Sequence, residues 1–260
     1  MKHNNNHSKR VLAGIGAALL LAVFLYAASQ IVSYLRAENE NRQLSEDLIE
    51  KAVHIPPPSS QALDSSEPQS PETVPIEVDF ETIWQENGDI VAWLYCENTP
   101  THYPIVQGSD NNYYLRRLLN GEYNINGTIF LDYRCQSDFR DFNSIVYGHH
   151  MKSGGMFGSL PNYKDQEYYD EHPVMYLLTP EQNYKIALVA GYITPSDSDT
   201  YSLPNTAEEK KEFLEYALQE STFVSSASVN ENDSFVTLST CSYEYENARY
   251  VVVGRLVAVE

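Results

Sequence analysis

The first strong pattern along the chain is an uncharged run. Between residues 11 and 35 no Asp, Glu, Lys or Arg interrupts VLAGIGAALLLAVFLYAASQIVSYL, 25 residues in all. An apolar helix of about 20 residues crosses a bilayer core, so this run predicts a membrane-spanning helix. A cleaved signal peptide is the other reading, kept open by Ala27, Ala28 and Ser29. Its apolar region would be shorter, and here Ile31, Val32 and Leu35 carry the run past that point. The polar, helix-permissive stretch 36–54 reads as a juxtamembrane stalk. Residues 55–75 hold six of the 13 prolines and a cluster of serines, a composition that stays extended, and read as a spacer holding the remainder off the membrane.

From residue 79 the pattern changes. Phe80, Ile83 and Trp84 fall at helical spacing just after Asp79. Short β-branched or alternating runs follow at 90–96, 103–106, 127–131, 144–147, 174–178, 184–193, 234–240 and 250–259, separated by Gly, Pro, Asn and Asp. Eight short strands in one domain predict a mostly β fold, a closed barrel or a sandwich. Two more segments read as helices. One is 156–169. The other is 206–221, with Thr206 as N-cap, Glu209 as its capping-box partner, and Phe213, Leu214, Ala217 and Leu218 as the apolar stripe. The organisation is therefore a tail at 1–10, a membrane helix at 11–35, a stalk and linker at 36–78, and a globular domain at 79–260.

Charge narrows the function. The chain carries 17 basic and 36 acidic residues, a net charge of −19, which argues against nucleic acid as a partner. Lys2, Lys9 and Arg10 precede the apolar run and acidic residues dominate after it. The positive-inside rule then places the N-terminus in the cytoplasm and residues 36–260 outside the cell.

Three cysteines allow either one Cys96–Cys135 pair with Cys241 free, or three free thiols. Cys241 ends a β-branched strand between Thr240 and Ser242, where a side chain meets solvent; Cys96 and Cys135 read as core residues. Arg249 opens the next strand eight residues later, and a hairpin over 242–248 would bring it beside the thiol. His149 lies at the exit of the 144–147 strand after Gly148, suited to passing protons near neutral pH. A metal reading of the His149–His150 pair lacks further ligands at the usual spacings, and no cofactor is called for.

TLSTC at 237–241, Arg249 downstream and YGH at 147–149 together resemble the active-site signature of the sortases. NGDIVAWL (87–94), YPIVQ (103–107), DNNYYL (110–115), GGMFGSL (154–160) and the helix at 206–221 extend the resemblance to class B sortases over about residues 79–260. The resemblance implies an eight-stranded β-barrel and a transpeptidase. Cys241 would attack the carbonyl of a Thr in a C-terminal sorting signal on another secreted protein, forming a thioacyl intermediate. His149 would protonate the departing amine, and Arg249 would donate hydrogen bonds to the oxyanion. A cell-wall amine, typically of a peptidoglycan precursor, would resolve the intermediate. Ser239 and Thr240 would line the substrate groove. The segment 192–201 would form its far wall, with Thr194, Ser196, Ser198 and Tyr201 as uncharged hydrogen-bonding groups. That wall suits a signal beginning with Asn or Ser, followed by Pro, a variable residue, Thr and a small or amide residue. A pilin-polymerising sortase that uses a pilin Lys is the alternative within the family. A hydrolytic cysteine peptidase would order its Cys and His the other way round. A non-catalytic extracellular binding barrel would leave the co-occurrence of Cys241, His149 and Arg249 without a reason.

Overall fold

The computed structural model describes residues 5–56 and 74–259; most of the Pro/Ser-rich segment, 57–73, lies outside the described residues. The first element, α1, is one continuous helix, Asn5–Ala52. It contains a window of mean hydropathy 2.1, none of it buried in the protein. The helix does not end where the apolar run ends, because residues 36–52 are good helix formers with no Gly or Pro to stop them.

The stalk half of α1 packs against the domain. Leu48 and Ala52 are buried with Ile76, Ile83, Trp93 and Phe130. Just beyond α1, β1 (Val53–His54) pairs antiparallel with β2 (Glu77–Val78), register Val53 to Val78 and His54 to Glu77. The Asp79 amide also donates to the Ala52 carbonyl at 2.8 Å. The residues on either side of 55–75 are thus hydrogen-bonded side by side, and the docked helix lies between the apolar run and the domain.

After α2 (Phe80–Glu86), capped by the Asp79 carboxylate on the Thr82 amide, the chain forms the barrel. Its strands are β3 (Ile90–Tyr95), β4 (His102–Val106), β5 (Phe130–Leu131), β6 (Asn143–Tyr147), β7 (Val174–Leu178), β8 (Asn183–Pro195), β9 (Ser234–Cys241) and β10 (Ala248–Val259). They close in the order β10-β8-β7-β3-β4-β5-β6-β9. The β4–β5 and β6–β9 pairs are parallel and the others antiparallel. All eight expected strands are present, although the one read at 127–131 shortens to two residues. Closure removes sheet edges and leaves an interior filled by Leu94, Ile105, Ile145, Leu188, Leu238 and Val252 among others.

The helix expected over 156–169 is broken. Met156 sits at φ +52°, a 3₁₀ turn occupies Leu160–Lys164 with Pro161 near its start, and only α3 (Gln166–Glu171) is α-helical. Asp165, extended, caps α3 through the Glu167 amide instead of continuing a helix through it. The helix expected at 206–221 is α4 (Ala207–Glu220), with the Thr206–Glu209 capping box formed from both sides. It buries Phe213, Leu214 and Ala217 against Tyr192, Phe235 and Val251 on the outer face of the barrel. Leu218, read as part of that stripe, points outward and is exposed.

Candidate active site

β9 and β10 form a hairpin ladder in which Cys241 pairs directly with Arg249 and Ser239 with Val251. In an antiparallel ladder directly opposed residues share a face, so the thiol and the guanidinium lie on the same side of the sheet. Both are half-buried. On the other flank of β9, parallel β6 pairs Tyr147 with Ser239. The Gly148 amide extends that pairing by donating to the Ser239 carbonyl at 3.0 Å. Two residues beyond each partner, His149 comes level with Cys241. Three strand ends thus deliver three side chains to one place.

Gly148 is required there: a Cβ would lie 2.6 Å from the Phe157 ring. Phe157 in turn donates its amide to the His149 carbonyl at 3.1 Å, fixing the backbone at the strand exit. The Thr240 hydroxyl donates to the Gly148 carbonyl at 2.9 Å from the next strand.

A cleft of about 450 Å³ opens over these residues, lined by His149, Cys241, Arg249, Ser239, Thr240 and Tyr201 among others. His149 Nε2 is 3.0 Å from the Leu115 carbonyl oxygen. A carbonyl only accepts, so Nε2 carries a proton and Nδ1 is the basic nitrogen of the neutral ring. Burial pulls the His149 pKa below the ordinary imidazole value, the Leu115 bond opposes that pull, and Arg116 adds to it. His150 is turned elsewhere: its Nδ1 donates to the Cys241 carbonyl at 2.8 Å, and its ring packs on Tyr243. The structure therefore separates the two adjacent histidines, one facing the cleft and the other bracing the hairpin backbone.

The other two cysteines are free thiols. Cys96 lies against the Tyr163 hydroxyl and the Val174 carbonyl. Cys135 accepts the Ile145 amide at 3.5 Å. Burial raises both above the ordinary thiol range, Cys135 to about 11, so neither is poised as a thiolate.

The segment 192–201 reaches the cleft in part. The Tyr201 hydroxyl shares a hydrogen bond with Ser239 at 2.9 Å, and burial raises its pKa to about 12. Ser196 and Ser198 line the cleft beside it. Thr194 does not reach the cleft: it is fully buried and bonds to Ser198 and Thr200 from behind the wall.

The sequence reading missed the opposite side of the groove. Asn111, Leu115, Tyr147 and Arg134 line it. Arg134 holds the fully buried Asp132 through Nε at 2.9 Å and Nη2 at 2.8 Å. It also donates to the Tyr201 carbonyl at 3.1 Å, tying the two walls together. Asp132 further accepts from Asn111 at 3.0 Å and Tyr147 at 2.9 Å. Burial alone would raise its pKa, but these donors outweigh burial and hold it below the ordinary carboxylate value. Asp132 and Arg134 stand two apart in a stretch rich in turn residues, and only their shared position beneath the groove distinguishes them from solvent-exposed charges. Among the described residues no group of three His, Cys, Asp or Glu side chains is placed to hold a metal ion.

The sequence and the fold are matched by known proteins. The Sortase domain family matches residues 94–257. Sortase B of Listeria monocytogenes is 32% identical over 244 residues, covering 92% of this chain and 94% of the relative. The solved sortase B of B. anthracis superposes with a TM-score of 0.69 at 32% identity, over 86% of this chain and 99% of that one. The Staphylococcus aureus sortase B–substrate complex superposes with a TM-score of 0.66 at 29% identity, over 70% and 85%. A closed eight-stranded barrel, a Cys–Arg pair across its last hairpin and matches of this extent lead to one assignment: the chain belongs to the sortase family of cysteine transpeptidases, and its relatives are of class B.

Proposed function

We propose that Cys241, His149 and Arg249 cleave a sorting signal after Thr and transfer the acyl group to an amine. The observation that carries this is the convergence of the three residues, from three adjacent strand ends, in one cleft. The Cys241 thiol gives its proton to His149 Nδ1, and the thiolate so formed attacks the Thr carbonyl carbon. Arg249 donates to the oxyanion that forms, the electrostatic contribution that usually dominates acyl transfer. The C–N bond breaks and the departing nitrogen takes the proton carried on His149 Nδ1, leaving a Thr thioester on Cys241. An incoming amine attacks that thioester, gives a proton back to His149 and releases the thiolate. Because Nε2–H is engaged by Leu115, the mobile proton in this scheme is the one on Nδ1.

The groove supports a signal whose first residue is polar and uncharged. Its far wall offers Ser196, Ser198 and Tyr201 beside Asp197, and of the two guanidiniums that line the groove Arg134 is already occupied by Asp132 while Arg249 stands at the thiol end. A Pro at the second position enters a preset extended backbone at low entropic cost. We place the cleft outside the cell, tethered by α1 with the basic N-terminus inside, so the substrates are other secreted proteins and the acceptor is a peptidoglycan or pilin amine. Mass spectrometry of peptides of the form Asn/Ser-Pro-x-Thr-x, incubated with several candidate amines, tests the reading. A product joined after Thr, absent with Cys241→Ala, is the expected result and identifies the acceptor. Preferred cleavage of a signal beginning with Leu would overturn the substrate assignment.

A further inference from the structure

The docked stretch of α1 touches the domain at a second place, away from its apolar patch. Asn41, only 7% exposed, donates from Nδ2 to the Gly127 carbonyl at 2.7 Å. In return, Asn124 Nδ2 donates to the Ala37 carbonyl at 2.8 Å. Both partners belong to the loop that joins β4 to β5.

That loop is tied into a unit of its own. Thr128 donates its amide to the Tyr114 carbonyl at 3.0 Å, and Asn124 donates its amide to Arg116 at 2.9 Å. Arg116 Nη1 reaches the Ile125 carbonyl at 2.6 Å, and the Thr128 hydroxyl reaches Arg117 at 2.8 Å. Inside the unit, Gly127 at φ +57° lies so close to the opposite strand of the loop that a Cβ would stand 2.4 Å from the Tyr114 oxygen and 2.5 Å from the Leu115 oxygen. The Leu115 carbonyl is the group that holds His149 Nε2.

We infer that Asn41 is a positioning residue for His149: the anchor helix holds Gly127, Gly127 packs against the Leu115 carbonyl, and that carbonyl fixes the imidazole. Each link is a hydrogen bond or a close backbone approach that leaves no room for a side chain, so a displacement of Gly127 is passed on to the ring. The helix that tethers the enzyme is thus a part of its active site. This inference rests on the reading of His149 as the proton carrier.

The test uses the full chain in detergent micelles with ¹⁵N-labelled histidine, comparing wild type, Asn41→Asp and Leu48→Ala. Asn41→Asp keeps the shape but sets an oxygen against the Gly127 carbonyl. Leu48→Ala weakens the same docked helix at its apolar patch while leaving the Asn41 and Asn124 bonds in place, and reports what loosening alone does. The expected result for Asn41→Asp is a shift of the His149 ring ¹⁵N signals and of their titration midpoint. Its kcat should fall about tenfold with KM held within about twofold. Leu48→Ala should lower Tm by at least as much with ring signals and kcat unchanged. A folded Asn41→Asp protein with wild-type ring signals, or a Leu48→Ala protein that moves them equally, would overturn the inference. If Asn41→Asp does not fold, Asn124→Ala, which removes the reciprocal bond, is read by the same criteria. The ring signals decide the matter even if wild type turns over no peptide, an outcome that would count against the proposed function instead.

Discussion

The two halves of the cleft are built differently. Cys241, Arg249 and His149 hang from strand ends, where their relative positions are set by the β9–β10 and β6–β9 ladders. The cleft walls proposed to hold substrate hang from loops, 111–117 on one side and 196–201 on the other, and are held by side-chain bonds such as Arg134 to the Tyr201 carbonyl. A ladder has discrete registers, and a one-residue slip turns a side chain to the other face. A loop held by a few hydrogen bonds moves by fractions of an ångström and survives substitution. The groups proposed for bond-making therefore sit on the part of the fold that cannot drift, and the groups proposed to read substrate sit on the part that can be retuned.

If that division is right, the largest losses come from the strand ends. Cys241→Ala should abolish product formation, while Cys96→Ala and Cys135→Ala should keep most of it; loss of activity in either core variant, with the fold intact by circular dichroism, would break the comparison. Arg249→Lys comes next. It keeps the charge but replaces a planar fork of donors with a point charge, and kcat/KM should fall about 100- to 1,000-fold. A Lys variant within a few fold of wild type would mean that net charge alone matters at that position.

The loop side should respond through stability and KM. Asp132→Asn removes the carboxylate that gathers Arg134, Asn111 and Tyr147, and should cost about 2 kcal/mol in thermal unfolding. The pH dependence has a definite sign. The folded Asp132 pKa is depressed, so its contribution is fully present above the unfolded value of about 3.9 and is lost as pH falls through the folded value. Wild type should lose Tm steeply below about pH 4, and Asp132→Asn should flatten that limb. Tyr201→Phe should be mildest: losing the bond to Ser239 should raise KM about 2- to 10-fold with kcat nearly unchanged. A larger fall in kcat than in KM affinity for Tyr201→Phe would place that wall in the chemistry and erase the distinction.

Much of this was legible in the residues. Strand ends announce themselves, because β-branched runs stop at Thr240-Cys241 and at Tyr147-Gly148, so the positions of Cys241 and His149 were readable as exits from a sheet. The capping box at Thr206 was readable for the same reason: it is local. Thr194 was misplaced because a polar residue near a wall looks the same whether it faces the groove or bonds the backbone behind it. The docking of the stalk was not readable because Leu44, Leu48 and Ala52, four residues apart, are a narrow stripe among charges. Such a stripe signals a docked helix only when a receiving surface is known.

The sequence by itself determined what depends on neighbours along the chain: the uncharged run, the eight strands, the caps, and the residue types able to do acyl transfer. Tertiary structure decided what depends on separations of tens of residues. It set Asp132 under the groove, turned His149 and not His150 to the cleft, brought residue 41 against residue 127, and paired residues 53–54 with 77–78. The physical reason is that periodicity and capping are fixed by the interactions of each residue with those a few positions away. Which surfaces meet is fixed by the burial of apolar area and the pairing of buried polar groups across the whole chain.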